Sequence, residues 1–217
     1  MSVYVYVEGD TEVLALPTIL DVLVGQRSVR KPIPLYGAKV LPRIGKTAAA
    51  ILSRNPQAHV FACPDLAPNR AFNGTRWAYS HYAGLQGVLN REVNAELAKR
   101  CSPRRAEDAL SRFHPHPFRH DFEVVLLACP EPLKRRLGTT SDITKHYRSN
   151  PEDQDFHEYP KKIVDRLFQR FQKRRYRPTD DCPRILEYAS AGDVQGIEER
   201  CPRFRQFLAA LRRAIAT

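Results

Sequence analysis

Six acidic residues stand at the margins of apolar runs: Glu8, Asp10 and Glu12 after Val3–Val7, Asp65 after His59–Cys63, and Asp121 and Glu123 on either side of Phe122. Magnesium and manganese take hard oxygen ligands, usually a few carboxylates with water and substrate phosphate completing the shell. Acids gathered at the ends of buried strands suit such an ion. The order Glu8-Gly9-Asp10-Thr11-Glu12 also has mechanical sense. Gly9 permits a tight turn, Asp10 or Thr11 can cap the next helix, and Glu12 falls in its first turn. Asp10 and Glu12 thus have a purely structural account as helix-start residues. Glu8 does not, because it closes the strand and precedes the cap.

The elements that must position these acids follow from the apolar pattern. Val3–Val7 reads as a buried strand. Val13, Leu14, Leu16, Ile19, Leu20, Val22, Leu23 and Val24 then lie on a broad helical stripe, with Gly25 placed to stop it and Pro17 either kinking the helix or starting it. A short extended candidate at Ile33–Tyr36 precedes an alanine-rich helix at Thr47–Ser53, and His59–Cys63 is a further apolar strand. Strands separated by helices, both finishing in carboxylates, predict a parallel sheet whose ligands collect beyond the carboxyl ends of the strands. That rule places Glu8 and Asp65 in one neighbourhood.

From about 68 to 112 the chain reads as an insertion of loops and helices, clearest at Leu85–Lys99. Phe122–Ala128 returns to core-like apolarity and is compatible with a strand or a buried helix. An α/β core over 1–138 with that insertion, followed by a basic and mostly helical part over 139–217, is the expected division. Helices are expected there at Lys161–Gln172, Arg184–Ala189, Val194–Arg200 and Arg203–Ile215.

Bulk properties narrow the partner. A formal net charge of +11 on 217 residues favours a polyanion such as DNA or RNA over a neutral metabolite. The charge is clustered in Arg30-Lys31, Lys134-Arg135-Arg136, Lys161-Lys162, Lys173-Arg174-Arg175-Tyr176-Arg177 and Arg212-Arg213. Each cluster alone reads equally as a solvated helix face; together they suit phosphate contacts, with Tyr176 available for base stacking. Arg135, Arg136, Lys162, Lys173, Arg174, Arg175 and Arg177 are the expected nucleic-acid contacts. Five scattered cysteines, never in a Cys-x-x-Cys pair, read as reduced thiols of a cytoplasmic protein. No run is long enough to span a membrane, and the start lacks the order of a signal peptide.

Two decoys are set aside on spacing. Gly45-Lys46-Thr47 lacks the glycine five residues earlier that a phosphate-cradling loop needs, since Val40 stands there, and Lys46 reads as a helix start. His114, His116 and His120 invite a zinc reading, but Pro115 and Pro117 constrain the segment and no cysteine is suitably spaced. His120 reads instead as a residue that orders the surroundings of Glu123.

Val7-Glu8-Gly9-Asp10-Thr11-Glu12 resembles the first motif of Toprim domains, in the branch related to OLD-type nucleases. The likeness continues in His120–Leu127, Tyr159-Pro160-Lys161-Lys162 and Cys201–Leu208, a series similar to an uncharacterised bacterial Toprim-like family of about this length. The resemblance implies a mainly parallel α/β domain with a magnesium- or manganese-binding acidic site, acting beside a partner ATPase in defence or mobile-element loci. Carried over, Glu8 is metal ligand or general acid/base, Glu12 the supporting acid and Asp65 the later aspartate. Asp121 and Glu123 are further candidate ligands, and Lys161 is the cation for the scissile phosphate. One departure bears on this. Many Toprim proteins carry Asp-x-Asp where this chain has Asp65-Leu66-Ala67, so a two-metal site depends on compensation by Asp121, Glu123 or Asn69. A non-catalytic nucleic-acid-binding or regulatory subunit on the same scaffold is the alternative. The oligomeric state is left open, a homodimer included.

Overall fold

The computed structural model describes residues 2–24, 29, 32–36, 40–66, 72–155 and 157–216. Gly25, Asn69 and the Arg30-Lys31 cluster lie outside the described residues. The fold is α/β, with a four-stranded parallel sheet flanked by helices.

The strands are β1 (Ser2–Val7), β2 (Ile33–Pro34), β3 (Ala58–Cys63) and β4 (Phe113–Pro115), in the order β2-β1-β3-β4. All three pairings are parallel, and β1 and β3 run in register from Ser2 opposite Ala58 to Val7 opposite Cys63. Val3, Val5, Tyr6 and Val7 are all buried, as are Val60–Cys63. Burial on both faces is why these strands read as continuous apolar runs, without a polar-apolar alternation. Their shared register brings both carboxyl ends out together, so Glu8 and Asp65 leave the sheet side by side.

The helices are α1 (Asp10–Val24), α2 (Val40–Arg54), α3 (Tyr82–Ala98), α4 (Pro103–Ser111), α5 (Val124–Ala128), α6 (Pro130–Leu137), α7 (Pro160–Gln172), α8 (Pro178–Leu186), α9 (Ala191–Arg200) and α10 (Pro202–Ala216). Helix α1 starts at Asp10 and runs through Pro17, so that proline is interior to the helix and does not open it. Lys46 is likewise interior to α2 and does not start it. Phe122–Ala128, compatible with strand or helix by pattern, is a turn followed by α5, all of whose residues are buried.

Two compact units share the chain, each assembled from separate stretches. The first combines Met1–Gly9, Arg27–Pro117 and Ala210–Thr217; the second combines Asp10–Gln26 with Phe118–Ala209. In the first unit the sheet packs with α2, α3 and α4 around a core that includes Tyr6, Leu41, Ile44, Val60, Leu85, Leu89 and Phe113. Gly45 is required by this packing. A Cβ there would stand 2.8 Å from the backbone oxygen of Glu92 on α3, so the glycine of the Gly-Lys-Thr decoy serves close helix approach. In the second unit Phe118, Phe122, Phe204 and Phe207 form an aromatic group, with Phe204 and Phe207 rings 5.6 Å apart. Such pairs contribute roughly 0.5 to 1.5 kcal/mol each beyond their buried area.

Candidate functional site

Asp121 and Glu123 are drawn inward by their neighbours. Phe122 and Val124–Ala128 are all buried, and the turn between them carries the two acids along, leaving Glu123 only 2 % exposed. Glu12 arrives by periodicity: it shares a face of α1 with Ala15, Leu16 and Ile19, all buried, and is itself 5 % exposed. The backbone N–H of Lys161 donates to both oxygens of Asp121, at 3.1 and 3.3 Å. Asp121 thus accepts from the first turn of α7, where the helix dipole favours negative charge.

That contact is outweighed. Burial first, then the charge of Glu123, pushes the Asp121 carboxyl well above the usual aspartate range; Lys161 opposes the rise and Glu12 adds to it. Burial likewise raises Glu123, against the lowering influence of the Lys161 charge. Tyr176 on the segment before α8 faces Glu123 and the Cys182 thiol, and its phenol is pushed up by burial. The Cys182 thiol is also held high, by burial and then by Glu123, so it stays protonated. Three carboxyls, one lysine, one phenol and one thiol therefore share a buried region of the second unit. His120, buried nearby in sequence, is held through backbone groups of Glu152 and Gln154, and burial lowers its pKa.

In the first unit the Asp65 N–H donates to Glu8 Oε2 at 3.1 Å. Burial raises the Glu8 carboxyl and this hydrogen bond partly offsets the rise. Gly9 occupies the turn after Glu8, where the chain passes from one unit to the other. The same unit carries the histidines of the proline-constrained segment. His114 stacks on Phe61 and on His59, with His59 Nδ1 and His114 Nε2 3.0 Å apart, and burial holds His114 and His116 near pKa 4. Among the described residues no group of three or more His, Cys, Asp or Glu side chains is placed to hold a metal ion. The acids nevertheless offer hard oxygen donors in pairs, and magnesium needs only one or two carboxylates with water and phosphate.

The basic clusters divide into two kinds. Arg174 makes a bidentate contact with buried Asp181, both N–O distances being 2.7 Å, and Arg136 reaches the same carboxylate at 2.7 Å. The Arg177 N–H adds a further bond at 2.9 Å. Burial works to raise the Asp181 carboxyl, but these bonds overcome it and hold the pKa at about 2. The side chains of Arg136 and Arg174, both half-buried, are thereby engaged with Asp181. Arg135, Lys162, Lys173, Arg175 and Arg177 are exposed. Tyr176 is 7 % exposed and packs on Phe168 at 5.2 Å, which corrects its expected role in base stacking.

Pattern reasoning missed Tyr176, Cys182 and Asp181 as partners. Asp181 looks like an ordinary helix-start acid after Pro178, and nothing local signals that two arginines converge on it. Glu12 had a usable signal, its place on the apolar stripe of α1.

Fold and site together define a parallel α/β protein with paired acids beyond a strand end in one unit and a buried acidic group in the other. The chain belongs to the family described as a domain of unknown function, DUF4276, whose model matches residues 7–212. No curated protein matches it. Among solved structures, the C-terminal region of the Xanthomonas campestris pv. campestris OLD protein is similar at 11 % identity and a TM-score of 0.40, with 96 % of each chain covered. No described helix is long and apolar enough to cross a membrane.

Proposed function

We propose that the protein is a Toprim-type metal-dependent phosphodiesterase acting on DNA or RNA, with Mg2+ or Mn2+ as cofactor. The observation that carries this reading is the crowding of Asp121 and Glu123 in a buried setting, where burial raises both carboxyls and the Glu123 charge raises Asp121 further. Like charges buried together cost stability, and such arrangements concentrate where a cation or a proton transfer uses them. In this reading Asp121 and Glu123 hold the ion and Glu12 supports them. Lys161 stabilises charge on the phosphate. The Glu8 and Asp65 pair in the first unit is assigned a parallel role, Glu8 as metal ligand and proton-transfer group and Asp65 as its supporting acid. The bound ion would supply Lewis acidity and a neutralising charge; the chain's own acids orient it and accept protons.

The net charge of +11 supports a nucleic-acid substrate. The test is incubation with labelled DNA and RNA in Mg2+ or Mn2+. Cleavage by the native protein, lost in Glu8→Ala and in Glu123→Gln, is the expected result. Equal cleavage by native protein and both variants overturns the assignment.

A second reading has its own support. Asp65-Leu66-Ala67, which carries one acid where many Toprim proteins have Asp-x-Asp, favours a non-catalytic nucleic-acid-binding or regulatory subunit. It predicts salt-sensitive binding without turnover and a melting temperature indifferent to Mg2+. In either case a partner ATPase is proposed to dock on the helices from Lys161 onward. Co-purification that survives nuclease treatment is expected, and its absence counts against the partner.

A further inference from the structure

A cleft of about 240 Å³ in the second unit is lined by His146, Ile163, Arg166, Leu167 and Arg170. Four of these residues fall at spacings of three, four and seven along α7, so they share one face of that helix. Lys161, nine residues before Arg170, falls by the same periodicity on the other side, so the cleft is distinct from the face next to Asp121. Ile163 and Leu167 form an apolar floor, buried to 1 % and 3 % exposure. Arg166 and Arg170 stand one helical turn apart on the rim, with His146 contributed by the 3-10 turn at Thr144–His146.

The charge of the cleft is uncompensated on one side. Arg166 pairs with Glu158 at 2.7 Å, whereas Arg170 lies over the Phe171 ring at 5.5 Å and has no carboxylate partner among the described residues. His146 registers the resulting field. Burial, and then the charges of Arg170, Lys145 and Arg166, depress its pKa, with Asp142 opposing, so a neutral imidazole faces two guanidinium groups. An anion placed there gains charge-assisted hydrogen bonds from Arg170 and from the Arg166 nitrogens that Glu158 does not engage. The volume sits just below the usual range for small-molecule pockets, which suits one compact unit.

We propose that this cleft binds the phosphate of a single nucleotide unit between Arg166 and Arg170, with the sugar or base lying on Ile163 and Leu167. The unit comes either from a free nucleotide or from one residue of a nucleic-acid strand. Neither source requires that the protein cleave anything, so the proposal stands apart from the carboxylate chemistry.

The experiment is fluorescence anisotropy of a short labelled oligothymidylate in EDTA, where cleavage is silent. Arg170→Gln and Arg166→Gln are compared with Arg105→Gln, a change at an exposed residue of α4 that removes the same charge elsewhere. Loss of about tenfold in affinity for the two cleft variants, with little change in Arg105→Gln, is the expected result. Equal weakening in all three means diffuse charge and overturns the proposal, as does no weakening in any. Competition by thymidine 5′-monophosphate then separates the sources. Displacement of the oligomer, itself dependent on Arg170, assigns the cleft to free nucleotide; binding that depends on Arg170 but resists the monophosphate assigns it to the strand. Failure of cleavage in the earlier test leaves this outcome untouched.

Discussion

Asp181 and Glu123 are both buried acids of the second unit, and their surroundings treat them in opposite ways. Asp181 is surrounded by donors: two arginines and a backbone N–H saturate its oxygens and hold it ionised, with a pKa of about 2. Glu123 is raised by its burial, and the lowering influence of Lys161 does not restore it. The difference teaches how to sort buried charge. A carboxylate with its full complement of donors is a structural tie, whereas crowded carboxylates raised by burial cost stability when they ionise.

The largest expected effect tests the saturated side. Asp181→Ala leaves Arg136 and Arg174 facing an empty place, and breaking a buried pair in this way costs about 3 to 5 kcal/mol. Urea denaturation measures it, and a loss under 1 kcal/mol would erase the contrast. The pH dependence has a definite sign. Since folding lowers the Asp181 pKa from 3.8 to about 2, its stabilisation is present above the ordinary aspartate value and drains away as pH falls towards 2.

Next in size is the response to metal. At a hundred times its dissociation constant, Mg2+ stabilises a native state that binds it by about 2.7 kcal/mol. Native protein is expected to show that rise in thermal melting and Glu123→Gln to lack it; a native protein that melts identically with and without Mg2+ favours the non-catalytic reading.

Without metal the same substitution should act in the opposite direction. Folding raises the Glu123 and Asp121 carboxyls, so their contribution is most favourable below the ordinary carboxylate range and is lost as pH rises through the elevated values. Glu123→Gln removes one of the opposed charges and should stabilise the metal-free protein above neutral pH by roughly 1 kcal/mol, the size of a typical single change. The gain should vanish at acid pH, where the native carboxyls are already protonated. Paired denaturation curves at the two pH values check it.

The smallest effect concerns Lys161, whose exposed side chain lowers both acids. Lys161→Met should change stability by under about 0.5 kcal/mol. It should still raise both carboxyls, moving the onset of Mg2+ stabilisation to higher pH. An onset that stays in place shows that the lysine does not govern the acids.

Much of this was legible in advance, for reasons that differ by residue. Strands β1 and β3 announce themselves because burial on two faces demands uninterrupted apolar runs, and parallel pairing then sends Glu8 and Asp65 to one edge. Helix α7 is readable from its stripe. Phe122–Ala128 was not, since so short an apolar run has no period to display, and only packing makes Val124–Ala128 a helix. The two compact units are each assembled from separate stretches, because tertiary contacts bring distant parts of the chain together and leave no local mark.

What the sequence by itself determined is the set of local elements and the stock of reactive groups: acids at the ends of apolar runs, a parallel sheet, a large positive charge. Only the tertiary structure decided which charges answer one another. It engaged Arg136 and Arg174 with Asp181, buried Tyr176 beside Glu123, and left Arg170 on the rim of a cleft. Periodicity is set by neighbours within a few residues, whereas the state of a charge is set by whatever the fold places within a few ångströms, and that is fixed by contacts between segments far apart in the chain.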